Sequence, residues 1–162
     1  MSEKEVRPSW DEYYIDMLNA VSKRATCDRG KNSAIIVKNK RILTTGYVGS
    51  PSGLPHCDDV GHLFKKHIND AGEESNHCVR TTHAEANAIA TAARFGISVE
   101  GATIYTKMSP CLDCAKLLIN SGVKRIVCKK LYHAGKTALN FLNDAGIEVS
   151  VVNNEVETYD KM

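Results

Sequence analysis

The segment ATIYTKMSPCLDCAKLLINSGVKRIVCKK, residues 102–130, contains two strand-like runs on either side of one helix-like run. Its pattern predicts strands at 102–107 and 125–128 and a helix at 111–121 that ends at Gly122. A strand, a helix and a strand in this order form a βαβ unit whose two strands run parallel. The segment therefore predicts an α/β fold.

The same alternation continues on both sides of this segment. It predicts helices at 82–95 and 136–144 and a strand at 148–152, with Gly96 and Gly146 where the helices should end. Successive units of this kind give parallel neighbours in a sheet that helices cover on both faces.

The beginning of the chain has a different pattern. Residues 9–24 predict a helix whose first turn carries a capping box of Ser9 and Glu12. Two β-rich runs, 33–38 and 41–47, predict a hairpin with its turn at the two residues between them.

Length and composition predict one domain. A chain of 162 residues with 43% hydrophobic positions is long enough for a single core. We expect one domain over 1–162 with a core at 9–152 and a tail at 153–162. Residues 53–80 form the longest irregular stretch, predicted as a loop of a zinc- or effector-binding type with a short helix at 62–67.

The charge pattern narrows the class of partner. The net charge is +2 without a basic block, which argues against duplex nucleic acid or a membrane surface and favours a small-molecule substrate. The charged N-terminus and the absence of a long apolar run argue against a secretory signal or a membrane span. We therefore expect a cytoplasmic protein.

His83 and Glu85 open the helix predicted at 82–95. Taken alone, they have an ordinary explanation, because Thr82 and Glu85 can form a capping box and leave His83 as a surface residue. A second meaning depends on the cysteines further along the chain.

Cys111 and Cys114 begin the next helix. Ser109 is its predicted N-cap and Pro110 its first residue, so the two cysteines lie one turn apart on one side. Two thiolates at this spacing can bind one metal ion. The alternatives are small core residues or a redox pair.

The two helix starts are expected to meet. Helices that follow parallel strands begin at the carboxyl edge of the sheet, so His83, Cys111 and Cys114 should converge there. These three ligands suit tetrahedral zinc and leave a fourth position for water, as in a catalytic site. Glu85 would face that position as a proton shuttle.

A second set of soft ligands lies in and before the long loop. Cys27, Cys57, His62 and Cys78 occur in segments short of core-forming residues, where a structural zinc would order the chain. The alternative is free thiols near a flexible surface. Cys128 lies in a strand pattern and is predicted to be a small buried residue.

The two motifs resemble a known signature. His83-Ala84-Glu85 and Pro110-Cys111-Leu112-Asp113-Cys114 match the HxE and PCxxC pattern of zinc-dependent nucleobase deaminases. The segments SKRATCDR, GYVGSPSGLPHCDDVGH and HCVRTTHAEANAI further resemble the deoxycytidylate (dCMP) deaminase family, from Trp10 to about Val152.

This resemblance implies a fold and a reaction. The fold is a three-layer α/β/α arrangement with a mixed five-stranded sheet, as in cytidine deaminases. The reaction is the hydrolysis of dCMP to dUMP and ammonia, which supplies dUMP for thymidylate synthesis. A zinc-activated water attacks C4 of cytosine, while Glu85 serves N3 and then delivers a proton to the leaving amino group.

The substrate also needs contacts beyond the reacting base. Arg24 and Arg29 are candidates for the 5′-phosphate, because a guanidinium binds phosphate bidentately. Ser109 and Tyr132 are further candidates for contacts with the nucleotide. The arginines are alternatively solvated surface charges, and Tyr132 is alternatively edge packing.

The resemblance carries expectations about assembly and regulation. It implies a homo-oligomer, a hexamer, that is activated by dCTP, with Mg²⁺, and inhibited by dTTP. Some members carry a second zinc in the region of Cys27, Cys57, His62 and Cys78. The chain departs from the family where Val48 replaces a common asparagine, which bears on specificity and regulation.

Two other functions compete with this one. Another zinc deaminase, acting on tRNA adenosine or free cytidine, would keep the same four motif residues, although a tRNA enzyme should be more basic. The second alternative is that the chain has no enzymatic activity and is a zinc-stabilised, deaminase-like binding protein, of the kind suspected in DNA uptake. The intact Glu85 argues against it, because a purely structural site needs no proton shuttle.

Overall fold

The computed structural model describes residues 6–69, 72–153 and 155–157. Its elements are α1 (Trp10–Ser22), β1 (Ser33–Lys38), β2 (Arg41–Tyr47), α2 (Cys57–Val60), β3 (Phe64–Ile68), β4 (Glu74–Cys78), α3 (Ala84–Phe95), β5 (Thr103–Met108), α4 (Leu112–Ser121), β6 (Arg125–Tyr132), α5 (Lys136–Asp144), β7 (Glu148–Val151) and β8 (Val156–Glu157). Within these ranges, every helix is too short or too polar to cross a membrane.

The main sheet has the strand order β2-β1-β5-β6-β7. β1 is antiparallel to β2 and β5, whereas β5, β6 and β7 are parallel. The expected mixed five-stranded sheet is confirmed, but within this order the parallel neighbours are β5, β6 and β7, and the other pairs are antiparallel. Because β1 is reversed relative to both of its neighbours, β2 and β5 run in the same direction and their carboxyl ends share one edge.

The first helix and the hairpin follow local rules. The capping box at α1 is confirmed, with the Ser9 amide donating to Glu12 Oε2 over 2.7 Å and the Glu12 amide donating to Ser9 Oγ over 3.3 Å. The turn residues Asn39 and Lys40 have φ values of 51° and 59°. Positive φ at both positions gives the type I′ turn that suits the twist of a two-residue hairpin.

The two faces of the sheet carry two apolar cores. Helices α3, α4 and α5 cover one face, where Ala88, Leu118 and Leu142 pack against β1, β5 and β6. Helix α1 covers the other face, where Leu18 packs with Ile35. This gives the three layers that the resemblance implies.

The chain after β7 returns to the sheet. β8 pairs in parallel with the last two residues of β6, and this pairing extends β6 four residues beyond its predicted end at 128. The prediction of a tail is therefore wrong for 155–157. These residues pair with the end of β6, whose backbone groups would otherwise lack this partner. Residue 154 and residues 158–162 of that tail lie outside the described residues.

Residues 53–80 are more regular than predicted. The short helix expected at 62–67 is wrong: α2 precedes this segment, and β3 and β4 form a separate antiparallel hairpin. Polar residues here alternate between the two faces of exposed strands, and such a pattern lacks the apolar stripe that identifies a buried strand. The pairing of β3 with β4 supplies the backbone hydrogen bonds.

Gly46 allows α3 to lie directly on β2. A methyl group at Gly46 would overlap the carbonyl oxygen of Ala84 and lie 2.6 Å from the backbone nitrogen of Ala88. The approach is fixed by the Asn87 side chain, which donates to the Tyr47 carbonyl over 2.8 Å, and by the Thr44 hydroxyl, which donates to the Ala88 carbonyl over 3.2 Å. The start of α3 is therefore held at the edge where β2 ends.

Asp11 attaches α1 to the sheet. Its carboxylate accepts two hydrogen bonds from the Arg125 guanidinium, over 2.9 and 2.8 Å, and one from the Tyr105 hydroxyl over 2.7 Å. The hydrogen bond from Arg125 lowers the pKa of Asp11 against the opposing effect of burial. The folded state thus favours the charged carboxylate.

We expect Asp11→Asn to lower the free energy of unfolding at pH 7 by about 1 kcal/mol, because a neutral amide loses the charge-assisted bonds of a partly exposed pair. The lowered pKa of Asp11 means that its contribution is present above the unfolded-state pKa of about 3.9 and is lost as the pH falls through the folded-state value. Urea unfolding of both proteins from pH 7 to about pH 3 checks this. A difference that stays constant over that range would contradict it.

We expect Gly46→Ala to cost about 2 kcal/mol of stability, because the added methyl group forces α3 away from β2. Thr45→Ala is the matched control, since Thr45 is the exposed neighbour on the opposite face of the strand. Urea unfolding of the two variants measures the difference. Equal stability of the two would show that the close approach is not required.

Candidate metal centre

The start of α3 places His83 at the carboxyl edge of the sheet. Gly49 and Thr82 exchange backbone hydrogen bonds of 3.3 and 2.9 Å, and His83 is the N-cap with extended backbone angles. The predicted capping box of Thr82 and Glu85 is wrong, because the backbone pairing of Thr82 delays the helix to Ala84. His83 is thereby left outside the helix with its side chain exposed.

The start of α4 differs from its prediction in the same way. Cys111 is the N-cap and the helix begins at Leu112, so Ser109 is not the cap and Pro110 lies before the first turn. The buried Ser109 hydroxyl instead accepts a hydrogen bond from the Tyr132 amide over 2.8 Å. This bond ties the segment before Cys111 to the end of β6.

The structure brings the three predicted ligands together. Nδ1 of His83 lies 3.4 Å from Sγ of Cys111 and 3.5 Å from Sγ of Cys114. All three donor atoms lie within 4.8 Å of one another. One imidazole nitrogen and two sulfurs form a donor set that zinc prefers, and three ligands leave a position for another molecule. The residues therefore fit a catalytic zinc.

Electrostatics favour a thiolate in this cluster. The hydrogen bond from Cys114 and the neighbouring His83 lower the pKa of Cys111 to about 4, although burial opposes the shift. The contact with Cys111 raises the pKa of His83 to about 9. The hydrogen bond with Cys111 and burial raise the pKa of Cys114. A thiolate is the form of cysteine that binds a metal.

Glu85 lies beside the donor set in the first turn of α3. Its side chain is 4% exposed, and Oε2 lies 3.8 Å from Sγ of Cys114. Burial raises the pKa of Glu85, because a charged carboxylate is poorly solvated there. A buried carboxyl whose pKa is raised is suited to general acid and base catalysis.

The second predicted set also comes together. Donor atoms of Cys27, Cys57, His62 and Cys78 lie within 4.8 Å of one another. Sγ of Cys27 is 3.6 Å from Nδ1 of His62, and Sγ of Cys57 is 3.6 Å from Sγ of Cys78. Four soft donors with no place left for a substrate fit a structural zinc. They join the loop after α1, the start of α2 and the end of β4.

The remaining predicted contacts are placed differently. Arg24 is exposed just beyond the end of α1. Arg29 donates to the Asn76 carbonyl over 2.9 Å and lies 4.8 Å from the Phe64 ring, so it supports the β3–β4 hairpin. Tyr132 lines a cavity of about 250 Å³ beside that hairpin.

Two other positions noted in the sequence have structural roles. Cys128 is fully buried in β6, as predicted. Val48 packs against the core with its side chain, while its backbone accepts from the Thr26 amide over 3.1 Å and donates to the Asn32 carbonyl over 3.1 Å. These bonds do not depend on the type of side chain at this position.

The sequence analysis named Tyr132 but missed the histidines that line the same cavity. His67 and His77 lie on β3 and β4 with their rings stacked 4.4 Å apart, and His133 lies on the opposite wall. The sequence did carry a signal for this hairpin, because 64–68 and 74–78 are two runs of five residues that could pair with each other. Asn87, which binds the end of β2, was also missed, since nothing in its local sequence indicates that contact.

The site combines a buried carboxyl group with one histidine and two cysteines, and it lies at the edge of the sheet in a three-layer α/β/α fold. This combination is typical of the class of zinc-dependent deaminases. Residues 8–130 match the family model described as the cytidine and deoxycytidylate deaminase zinc-binding region. The chain therefore belongs to this family, whose name states that it binds zinc.

Individual relatives agree with this assignment. ComE operon protein 2 of Bacillus subtilis is 37% identical over 146 residues, which cover 90% of this chain and 72% of the relative. Deoxycytidylate deaminase of Mycobacterium phage D29 is 35% identical over 127 residues, 76% of this chain and 97% of the relative. The crystal structure of dCMP deaminase from cyanophage S-TIM5 with dCMP and dUMP has a TM-score of 0.72 at 29% identity, over 91% of this chain and 99% of that one.

Proposed function

We propose that this chain hydrolyses dCMP to dUMP and ammonia. The observation that carries the proposal is the position of Glu85, a buried carboxyl 3.8 Å from a sulfur of the three-ligand set. The names of the phage relatives support dCMP as the substrate. Hydrolysis adds one water to the base and releases its amino group from C4.

The ligands and Glu85 divide the chemistry between them. His83, Cys111 and Cys114 would hold a zinc ion, whose Lewis acidity would lower the pKa of a water molecule towards neutrality. Glu85 takes the proton of this water and places it on N3 of cytosine. Glu85 then transfers the remaining proton of the hydroxyl added at C4 to the amino group, and the C4–N bond breaks to release ammonia. Because burial raises the pKa of Glu85, its carboxyl can hold each proton between these steps.

We also propose that Cys27, Cys57, His62 and Cys78 bind a second, structural zinc. Hydrogen bonds from the backbone of Arg80 and Leu63, working against burial, lower the pKa of Cys78 to about 7. Burial raises the pKa of Cys57 to about 12, so that thiol gives up its proton only to a strong ligand partner such as a metal. With so few apolar contacts in the exposed hairpin, the metal would supply its main attachment.

Assembly and regulation follow from the resemblance alone. A hexamer, activation by dCTP with Mg²⁺ and inhibition by dTTP stay predictions, as does a cytoplasmic location. The phosphate contacts of Arg24 and Arg29 also stay predictions, but the contacts of Arg29 with Asn76 and Phe64 favour a role in supporting the hairpin.

We expect Glu85→Gln to lower kcat for dCMP by about 10²- to 10⁴-fold while zinc content stays unchanged, because a glutamine amide cannot transfer the protons. Ammonia release from dCMP, dCTP, cytidine and deoxycytidine measures both activity and substrate choice. Glu100→Gln is the matched control, since Glu100 is an exposed carboxylate next to the opposite end of β5.

Two results would overturn the proposed function. Full activity of Glu85→Gln would remove the mechanism. Zinc-loaded wild-type protein that released ammonia from none of the four substrates would favour the non-enzymatic alternative, whereas a preference for cytidine would indicate another zinc deaminase.

We expect two zinc ions per chain in the wild-type protein and one in Cys57→Ser, with a melting temperature lower by about 5 °C or more, because loss of a ligand frees the hairpin. Elemental analysis and calorimetry measure these quantities. Cys128→Ala is the control, since it removes a buried thiol outside both clusters and should retain two ions. A single zinc in the wild-type protein would mean that the four residues are free thiols.

A further inference from the structure

The cavity of about 250 Å³ lies between the β3–β4 hairpin and the connection from β6 to α5. His67 and His77 form one wall, and Tyr132 and His133 form the other. None of the functions described above uses the three histidines.

The hairpin presents its two histidines on the same side. His67 pairs with Ser75 and His77 pairs with Lys65, so the histidines are diagonal neighbours on one face of the two strands. Their rings stack 4.4 Å apart with an angle of 19° between planes. An imidazole has at least one N–H donor in either protonation state, so the pair can donate to an anion.

The carboxylates near these histidines already have partners. Oε2 of Glu73 accepts from the side-chain amide of Asn69 over 2.8 Å, and Oε2 of Glu74 is 3.1 Å from Nζ of Lys66. Both carboxylates are on exposed residues, where water screens their charge. The imidazoles can therefore donate to an anion in this cavity, together with the Asn69, Ser75 and Tyr132 side chains that also line it.

The cavity lies beside the metal centre. Its wall at Tyr132 and His133 is the connection that follows β6, and Gly135 in this connection lies close to the hydroxyl of the buried Ser109, two residues before Cys111. The opposite wall is tied to Cys111 through the hydrogen bond between Ser109 and Tyr132. A nucleotide with its base at the metal centre can thus extend its 5′-phosphate towards the histidines.

We propose that His67 and His77, with His133 from the opposite wall, bind the 5′-phosphate of a nucleoside monophosphate substrate. The subsite rests on the proposed function, because it assumes that the base lies at His83, Cys111 and Cys114. In this arrangement the β3–β4 hairpin, which the second cluster anchors, forms one wall of the substrate site. Specificity for a nucleotide over a nucleoside then comes from the hairpin.

The test uses His67→Asn in the zinc-loaded full-length protein, with dCMP and deoxycytidine as substrates. His67 is preferred to His77 because His77 adjoins the proposed ligand Cys78. Loss of one hydrogen bond to a charged phosphate should raise KM for dCMP about tenfold. The kcat for dCMP and the kcat/KM for deoxycytidine should stay within about twofold of wild type, because the base is untouched.

Lys66→Gln is the matched control, since it removes a full positive charge from the same hairpin on the other face of β3. An unchanged KM for dCMP in His67→Asn would overturn the subsite, and so would an equal rise in Lys66→Gln, which would indicate general attraction. An equal loss with deoxycytidine or a loss of zinc in His67→Asn would show a structural role and would also overturn it.

Failure of the proposed function can be recognised separately. If the wild-type protein releases no ammonia from dCMP, calorimetric titration with dUMP still tests the subsite. About tenfold weaker binding of dUMP to His67→Asn than to wild type would support it. Equal binding, or no binding to either protein, would overturn it.

Discussion

The contact between β2 and α3 is the constraint on which the functional centre depends. α3 can lie against β2 only because Gly46 has no side chain, and backbone pairing of Gly49 with Thr82 then fixes the point at which the helix starts. His83 and Glu85 are on either side of that point. Cys111 and Cys114 are placed independently, by the βαβ unit of β5, α4 and β6. The three ligands meet because both helices begin at the edge where β2 and β5 end.

The same short segment connects the two clusters of metal ligands. Val48 accepts a hydrogen bond from the amide of Thr26, which precedes Cys27, and Gly49 pairs with Thr82, which precedes His83. The backbone next to each cluster is therefore hydrogen-bonded to one of two adjacent residues, Val48 and Gly49.

Two neighbouring groups, Glu85 and Cys111, have pKa values that are shifted in opposite directions. Burial makes Glu85 harder to ionise, whereas Cys111, which keeps access to solvent, is ionised by its contacts with Cys114 and His83. The site thus holds a carboxyl that can keep a proton next to a thiolate that can bind a metal. Both properties arise at the starts of two helices, because Glu85 is buried in the first turn of α3 and Cys111 is the partly exposed N-cap of α4.

The sequence by itself determined the elements whose signals are local. The capping box at Ser9, the hairpin turn at Asn39 and the alternation from β5 to β7 are set by neighbours along the chain, and the spacing of His83, Glu85, Cys111 and Cys114 identified the candidate ligands. Tertiary structure decided the rest. The antiparallel pairing of β1 with β5, the β3–β4 hairpin, and the placement of His67 and His77 beside the metal centre depend on contacts between residues far apart in sequence. Short polar strands carry no apolar periodicity, so only their partners reveal them.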